Sequence, residues 1–377
     1  MKKIYWRPQG MPVFAFILVA LFSVGGVAAV EHFQSVTEKP HYTEKLEAAS
    51  LALKAMNIIR EERLRRDLPI DPASDPAGSG LIGTFTSPVT SHPGDLDAKQ
   101  TSVNPNFAAV VVDLFKKVRI GKGDCVAISF TGSFPALNIC VYAAAAALKL
   151  KPVTVSSVSS SQWGANEPGL LWIDMEQLLY RRGIFPFRSA AASIGGSDDR
   201  GRELSEEGRK LILDAIRRNG LELLKSPGLA GSIDDRMEIY FSQDQPRALI
   251  NVGGGVASAG IRSSRVLLKP GLLTSLSGEL RDDSVIYRFL KDEKLPVIHL
   301  ENVRELARDH GLPVNPHSLQ KVGEGELYFQ YRYNVWLTAI VLGGIVFGLY
   351  IFGRVDWGFR MLRSSHTHEV GPPEPMV

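Results

Sequence analysis

At 377 residues the chain has room for one large α/β domain, or two smaller ones, plus appendages. Its formal net charge is only +3, and residues 31–334 carry equal numbers of basic and acidic side chains. That balance excludes bulk electrostatic capture of a polyanion, nucleic acid included; only local basic patches such as Lys116, Lys117, Arg119 and Lys122, or Arg262 and Arg265, can do such work.

Two stretches do not belong to a soluble core. Met11 to Val30 is twenty residues without a charge, and Val335 to Phe352 is eighteen. Each is about long enough to cross ~30 Å of hydrocarbon. The first follows Lys2, Lys3 and Arg7 and contains Val27-Ala28-Ala29, a small-residue pattern of the signal-peptide kind. Its apolar core exceeds the roughly 7–15 residues of a signal peptide, which favours an uncleaved anchor. Tyr328, Tyr331, Tyr333 and Trp336 predict an aromatic belt before the second stretch, with Trp357 after it. Basic residues near the termini, including Arg354, Arg360 and Arg363, slightly outnumber Lys39, Lys45, Lys321 and Arg332 on the inner flanks. The expected organisation is therefore a cytoplasmic 1–10, a span at 11–30, a stalk helix and linker at 31–80, an extracytoplasmic α/β domain at 81–334, a span at 335–352 and a cytoplasmic tail at 353–377.

In chain order, Thr43 is expected to cap a helix opening with Glu44 and Glu47 and ending among Arg60, Arg63, Arg65 and Arg66. Asp71 to Gly80 reads as linker by composition. Gly83 to Thr101 reads as a long, ordered polar loop. Asn104-Pro105-Asn106 caps a helix over Phe107 to Val118. Cys125 to Phe130 is a short apolar run, the mark of a strand buried on both faces. After Thr131-Gly132-Ser133, Pro135 sits where a helix's first turn accepts it, and an Ala-rich helix runs to Leu150. Pro152 to Ser157, Ser189 to Ile194, Ala248 to Val252 and Val297 to Leu300 read as further strands. Helices are expected at Met175 to Arg182 (capped by Asp174), Gly208 to Arg218, Ile233 to Phe241, Ser284 to Lys294 and Asn302 to His310. The alternation predicts an α/β fold, a mostly parallel sheet with helices on both faces in the Rossmann-like manner, flanked by two transmembrane helices. Cys125 and Cys140 read as buried hydrophobes.

Three expected strands end in small or hydroxyl-rich loops, at Thr131 to Ser133, Ser156 to Ser161 and Gly253-Gly254-Gly255. In a parallel sheet those ends share one edge, and the crevice outside it is the usual ligand site. Thr131, Gly132, Ser161 and the three glycines are thus candidate substrate-binding residues. Gly255 to Gly260 has the first spacing of a P-loop, but Ile261 stands where its lysine belongs, and there is no GxGxxG; no nucleotide or other cofactor is expected. Ser133, on a strand-to-helix turn, is a candidate nucleophile, with helix capping as its structural alternative. Its base would be Lys99 or one of His92, His299 and His317. Asp198 and Asp199 in a Gly-rich turn, and His366 and His368 in the tail, give no metal site.

Ser87-Pro88-Val89-Thr90, Ala98-Lys99, Asn104-Pro105-Asn106, Gly132 to Asn138, Trp163-Gly164-Ala165-Asn166 and Asn251 to Gly255 together resemble the poly-γ-glutamate system protein family over roughly residues 80–260. These are membrane proteins whose genes accompany the synthase and export components of that polymer. The resemblance adds Ser87, Trp163 and Asn166 to the substrate-contacting set. It implies a place in the bacterial cytoplasmic membrane, the synthase and export proteins as partners, and an anionic γ-glutamyl polymer as ligand. The first reading is an accessory subunit of polymer biosynthesis or export whose outer domain contacts the chain. The alternative is an extracytoplasmic serine hydrolase or transpeptidase acting on γ-glutamyl amide bonds, with Ser133 as nucleophile and Lys99 as base.

Overall fold

The computed structural model describes residues 13–261, 267–276 and 282–354. Lys2, Lys3, Arg7, Arg262, Arg265, Trp357, Arg360, Arg363, His366 and His368 lie outside the described residues. The chain forms two compact units.

One unit holds α1 (Val13–His32), β1 (Ser35–Glu38), β11 (Phe329–Arg332) and α12 (Val335–Arg354). The two helices are long and apolar enough to cross a membrane, with mean hydropathy of 2.6 and 2.3 over their apolar windows. They pack on each other where glycine removes a side chain: a Cβ on Gly26 would fall 2.4 Å from Val341. Their outer faces leave Phe14, Leu21, Ile340 and Phe347 exposed. β1 and β11 pair antiparallel, Ser35 opposite Arg332. Tyr331, Tyr333 and Trp336 are exposed beside α12, as a belt requires. Tyr328 is not part of it: it is fully buried in the other unit, its hydroxyl donating to Asn106 Oδ1 at 2.6 Å.

The second unit, Lys39–Tyr328, is built on a seven-stranded sheet. Its strands are β3 (Cys125–Thr131), β4 (Lys151–Ser157), β6 (Ala191–Ser193), β7 (Glu222–Leu223), β8 (Leu249–Val252), β9 (Gly271–Leu273) and β10 (Val297–Leu300), in the order β7-β6-β4-β3-β8-β10-β9. All neighbours are parallel except the edge strand β9. Every residue of β3 is buried, which is why its sequence shows no alternation. Cys125 and Ala127 face α8 (Gly228–Tyr240), α9 (Val256–Ala259) and α10 (Val285–Lys291) through Ile233, Ala257 and Phe289. Phe130 meets Tyr142 of α5 (Pro135–Ala147) and Trp172 of α6 (Trp172–Arg181) edge-on, so helices cover both faces. Both cysteines are buried and free.

Several local expectations shift. The first helix of this unit, α2 (Tyr42–Arg65), starts after His41 in a left-handed conformation rather than at a Thr43 cap. It is no stalk: Ala48, Ala49, Ala52, Ala55 and Ile59 are fully buried where it packs on α4 (Phe107–Lys117) and α5. The stretch after it is folded too, Asp75 accepting bonds from the Ser79 and Gly80 amides. Gly83–Thr101 is ordered as expected but contains β2 (Thr90–His92), paired with β5 (Ser160–Ser161), and most of α3 (Leu96–Ser102). Asp174 lies in the first turn of α6, three residues past the cap position, still accepting the Leu171 amide. α7 (Glu206–Arg218) starts two residues before the expected Gly208, with the Ser205 side chain accepting the Gly208 amide, and α11 (Val303–Asp309) follows β10.

Candidate functional site

From β3 the chain crosses through α5 to β4 on one side, and later returns through α8 to β8 on the other. The order of strands therefore reverses beside β3, and a parallel sheet opens a crevice above such a point. A cleft of about 260 Å³ lies there. Thr131, Ser133 and Phe134 line it from the end of β3, Ser157, Ser159 and Ser161 from beyond β4, and Gly254 and Gly255 from beyond β8. Glu301 and Arg304 come from beyond β10, and Ser91 to Asp95 with Lys99 close the top.

Lys99 is the unusual group. It sits on α3, whose first turn Asp95 caps by accepting the Ala98 amide at 3.3 Å. The side chain is 3% exposed. Its Nζ donates to the Ser133 carbonyl and lies 2.8 Å from Ser161 Oγ, with the Phe134 ring centre 4.0 Å away. Among the described residues no carboxylate stands within ion-pairing distance of it. Burial pulls its ammonium down to about 7, against a weaker opposing pull from Asp95. Near neutrality much of Lys99 is a free amine. A carbonyl can only accept, so one N–H is committed to Ser133, and the amine's lone pair is available to the Ser161 hydroxyl.

Ser133 itself plays a different part from the one its sequence suggests. It does not cap α5, since Phe134 occupies that position without a side-chain bond. Its Oγ accepts the Ser161 amide at 3.2 Å, which ties the two loops together. The structure thus brings Lys99, Ser133 and Ser161 into one cluster, but the hydroxyl on the amine is Ser161's. Gly164 permits this closeness: a Cβ there would fall 2.1 Å from Ser160 Oγ and 2.8 Å from the Gly132 carbonyl. Gly132 is packed against Val158 and Ser159 carbonyls. Gly253 takes φ +82°, with Thr131 Oγ1 2.6 Å from where a Cβ would stand.

Five expected contacts lie outside the cleft lining: Gly132 and Gly253, packed in the turns as described, and Ser87, Trp163 and Asn166. Ser87 donates to the Asn166 carbonyl at 2.6 Å. Asn166, fully buried, grips Thr84 N and O at 2.9 and 2.8 Å. Trp163 packs edge-on against Phe85. Ser87, Asn166 and Trp163 clamp the two polar loops together. Of the histidines, His92 lines the cleft with Nδ1 2.9 Å from Ser91 Oγ, His299 is buried behind it, and His317 is exposed elsewhere. Asp199 is buried on Arg236 at 2.8 Å and Ser193 at 2.8 Å, a structural pair; Asp198 meets Arg202 at the surface. Among the described residues no cluster of three metal-ligating side chains forms. Lys117 and Arg119 line a shallow hollow with Lys294 and Pro296, at the opposite edge of the sheet from the cleft.

Sequence reasoning placed Ser157 and Ser159 only within the Ser156 to Ser161 loop and missed Glu301 and Arg304 as cleft residues; Glu301 directly follows β10 and Arg304 lies in the first turn of α11, and that position is the only signal they carry. The chain matches no protein-family model, no curated protein and no solved structure, so the reading of this site rests on its geometry.

Proposed function

We propose that this chain is a membrane-anchored serine–lysine amide hydrolase or transpeptidase of the poly-γ-glutamate system. The observation that carries the chemistry is Lys99 Nζ at 2.8 Å from Ser161 Oγ in the cleft. A neutral amine takes the hydroxyl proton as Oγ attacks an amide carbonyl, then delivers that proton to the departing nitrogen. No metal or cofactor is called for in that cycle. The γ-glutamyl substrate comes from the resemblance of the loops that build this cleft. The Rossmann-like reversal beside β3 supports a ligand at this edge. Two-pass anchoring, with termini in the cytoplasm and the domain outside, puts the cleft where emerging polymer passes, beside the synthase and export proteins.

The accessory, polymer-holding role is the second reading. The observation favouring it is the exposed cationic edge of Lys117, Arg119 and Lys294, remote from the cleft. The full-length protein in lipid nanodiscs, incubated with poly-γ-glutamate and followed by polymer length on a gel, separates the two. Shortening that disappears in both Lys99→Met and Ser161→Ala establishes the hydrolase. Unchanged length with retained binding leaves the accessory role. Neither cutting nor binding withdraws the polymer.

A further inference from the structure

Within the sheet, β8 and β10 carry a buried polar chain that the acylation chemistry does not use and that ends at the cleft with Glu301. Asn251 and His299 are register partners on these strands, 0% and 1% exposed. Asn251 Nδ2 lies 2.7 Å from the Gly253 carbonyl and 3.0 Å from His299 Nδ1. The carbonyl can only accept, so the amide nitrogen, not its oxygen, must face it; the second amide proton then points at Nδ1. Nδ1 is an acceptor, and the imidazole proton sits on Nε2. That nitrogen is 3.3 Å from Glu301 Oε2. Glu301 follows β10 directly and lines the cleft. A buried imidazole, its tautomer set from behind, thus packs at 3.3 Å against a carboxylate that reaches the site, with no hydrogen bond between the two atoms in this geometry.

Resting on the serine–lysine reading, we propose that Glu301 is the base that activates the hydrolytic water, with His299 and Asn251 as its positioning residues. Acylation leaves an ester between Ser161 Oγ and the substrate's acyl carbon, and Lys99 neutral again. Glu301 takes a proton from water as the water oxygen bonds to that carbon. The C–Oγ bond breaks with its electron pair going to Oγ, which recovers the proton, and the acid product departs. Division of labour between Lys99 and Glu301 makes acylation and deacylation separable by mutation.

The test uses the full-length protein in nanodiscs with γ-glutamyl p-nitroanilide as probe, reading p-nitroaniline release and intact mass. Wild type turns over continuously. Glu301→Gln is expected to release about one equivalent and then slow ~100-fold, with the protein mass raised by one glutamyl group. His299→Phe lowers kcat in the wild type but adds nothing in the Glu301→Gln background, a non-additivity that a structural role does not produce. Glu301→Asp, which keeps the carboxylate, restores turnover in part and shows that the fold is intact. Steady turnover in Glu301→Gln, or loss of its burst with the fold retained, overturns the assignment while leaving Lys99 and Ser161 in place. Absence of any release from wild type overturns both readings together.

Discussion

Two lysines in this domain are almost fully buried, and their surroundings differ in one respect. Lys45, on α2, reaches Asp113 of α4 at 2.8 Å and the Leu327 carbonyl at 3.1 Å. Lys99 meets a carbonyl, a hydroxyl and an aromatic ring, with no carboxylate in contact among the described residues. A buried ammonium with a counter-ion is a fastener between helices. One without it gives up its proton near neutrality and becomes a base. Position in the fold agrees: Lys45 lies in the α2–α4 layer, Lys99 over the strand ends.

The comparison breaks first under substitution of the two lysines by methionine. Lys99→Met should lower kcat/KM on a γ-glutamyl amide by ~10²–10⁴-fold, the range for removing a general base, with Ser161→Ala at least as severe. Lys45→Met should leave activity per folded molecule unchanged. It should lower stability by ~2 kcal/mol in urea unfolding, less than for a fully buried pair because Asp113 is 26% exposed. Similar activity losses in the two variants would erase the distinction.

The architecture was legible where burial is two-sided. Cys125 to Phe130, Ala248 to Val252 and Val297 to Leu300 read as strands because each is a short, mostly apolar run without alternation, as helices covering both faces of the sheet require. β7 and β9 are two and three residues long, too short to show a period. α2 read as a stalk because alanine makes a weak hydrophobic stripe, yet alanines are what let it lie close on α5. At the site, the convergence of the hydroxyl loops could be inferred from strand ends, but not that Lys99 rather than a histidine joins them, since Lys99 reaches the cleft from α3. Which serine meets the amine could not, since that depends on β2 pairing with β5 and on Gly164 admitting one loop against the other. Asn166 and Ser87 look alike as ligand contacts or as clamps until their partners are known.

Titration sharpens the comparison next. Activity that needs neutral Lys99 should rise with pH through about 7 and then level. Stability carries the same signature. The folded-state pKa lies below the ordinary lysine value, so between about 7 and 10.5 the unfolded chain binds more protons than the folded one. Lys99 therefore destabilises the fold fully below pH 7, and stability should rise as pH climbs through that window, by at most ~1.4 kcal/mol per pH unit. Difference curves of wild type against Lys99→Met, measured by urea unfolding from pH 6 to 10, isolate this slope. A flat difference would mean that Lys99 stays charged.

The smallest effect separates the two serines. Ser133→Ala removes the acceptor of the Ser161 amide but leaves the Ser133 carbonyl on Lys99. The lost bond is worth ~1 kcal/mol in a half-buried setting. Activity should fall no more than about tenfold, through looser placement of the Ser161 loop, because the hydroxyl on the amine is untouched. Side by side with Ser161→Ala, both placed in the Glu301→Gln background, burst kinetics on γ-glutamyl p-nitroanilide decide the matter: Ser133→Ala keeps the acylation burst and Ser161→Ala does not. The reverse outcome would return the nucleophile to the strand-to-helix turn, and Lys99 would then have to shift from the Ser133 carbonyl to its hydroxyl when substrate binds.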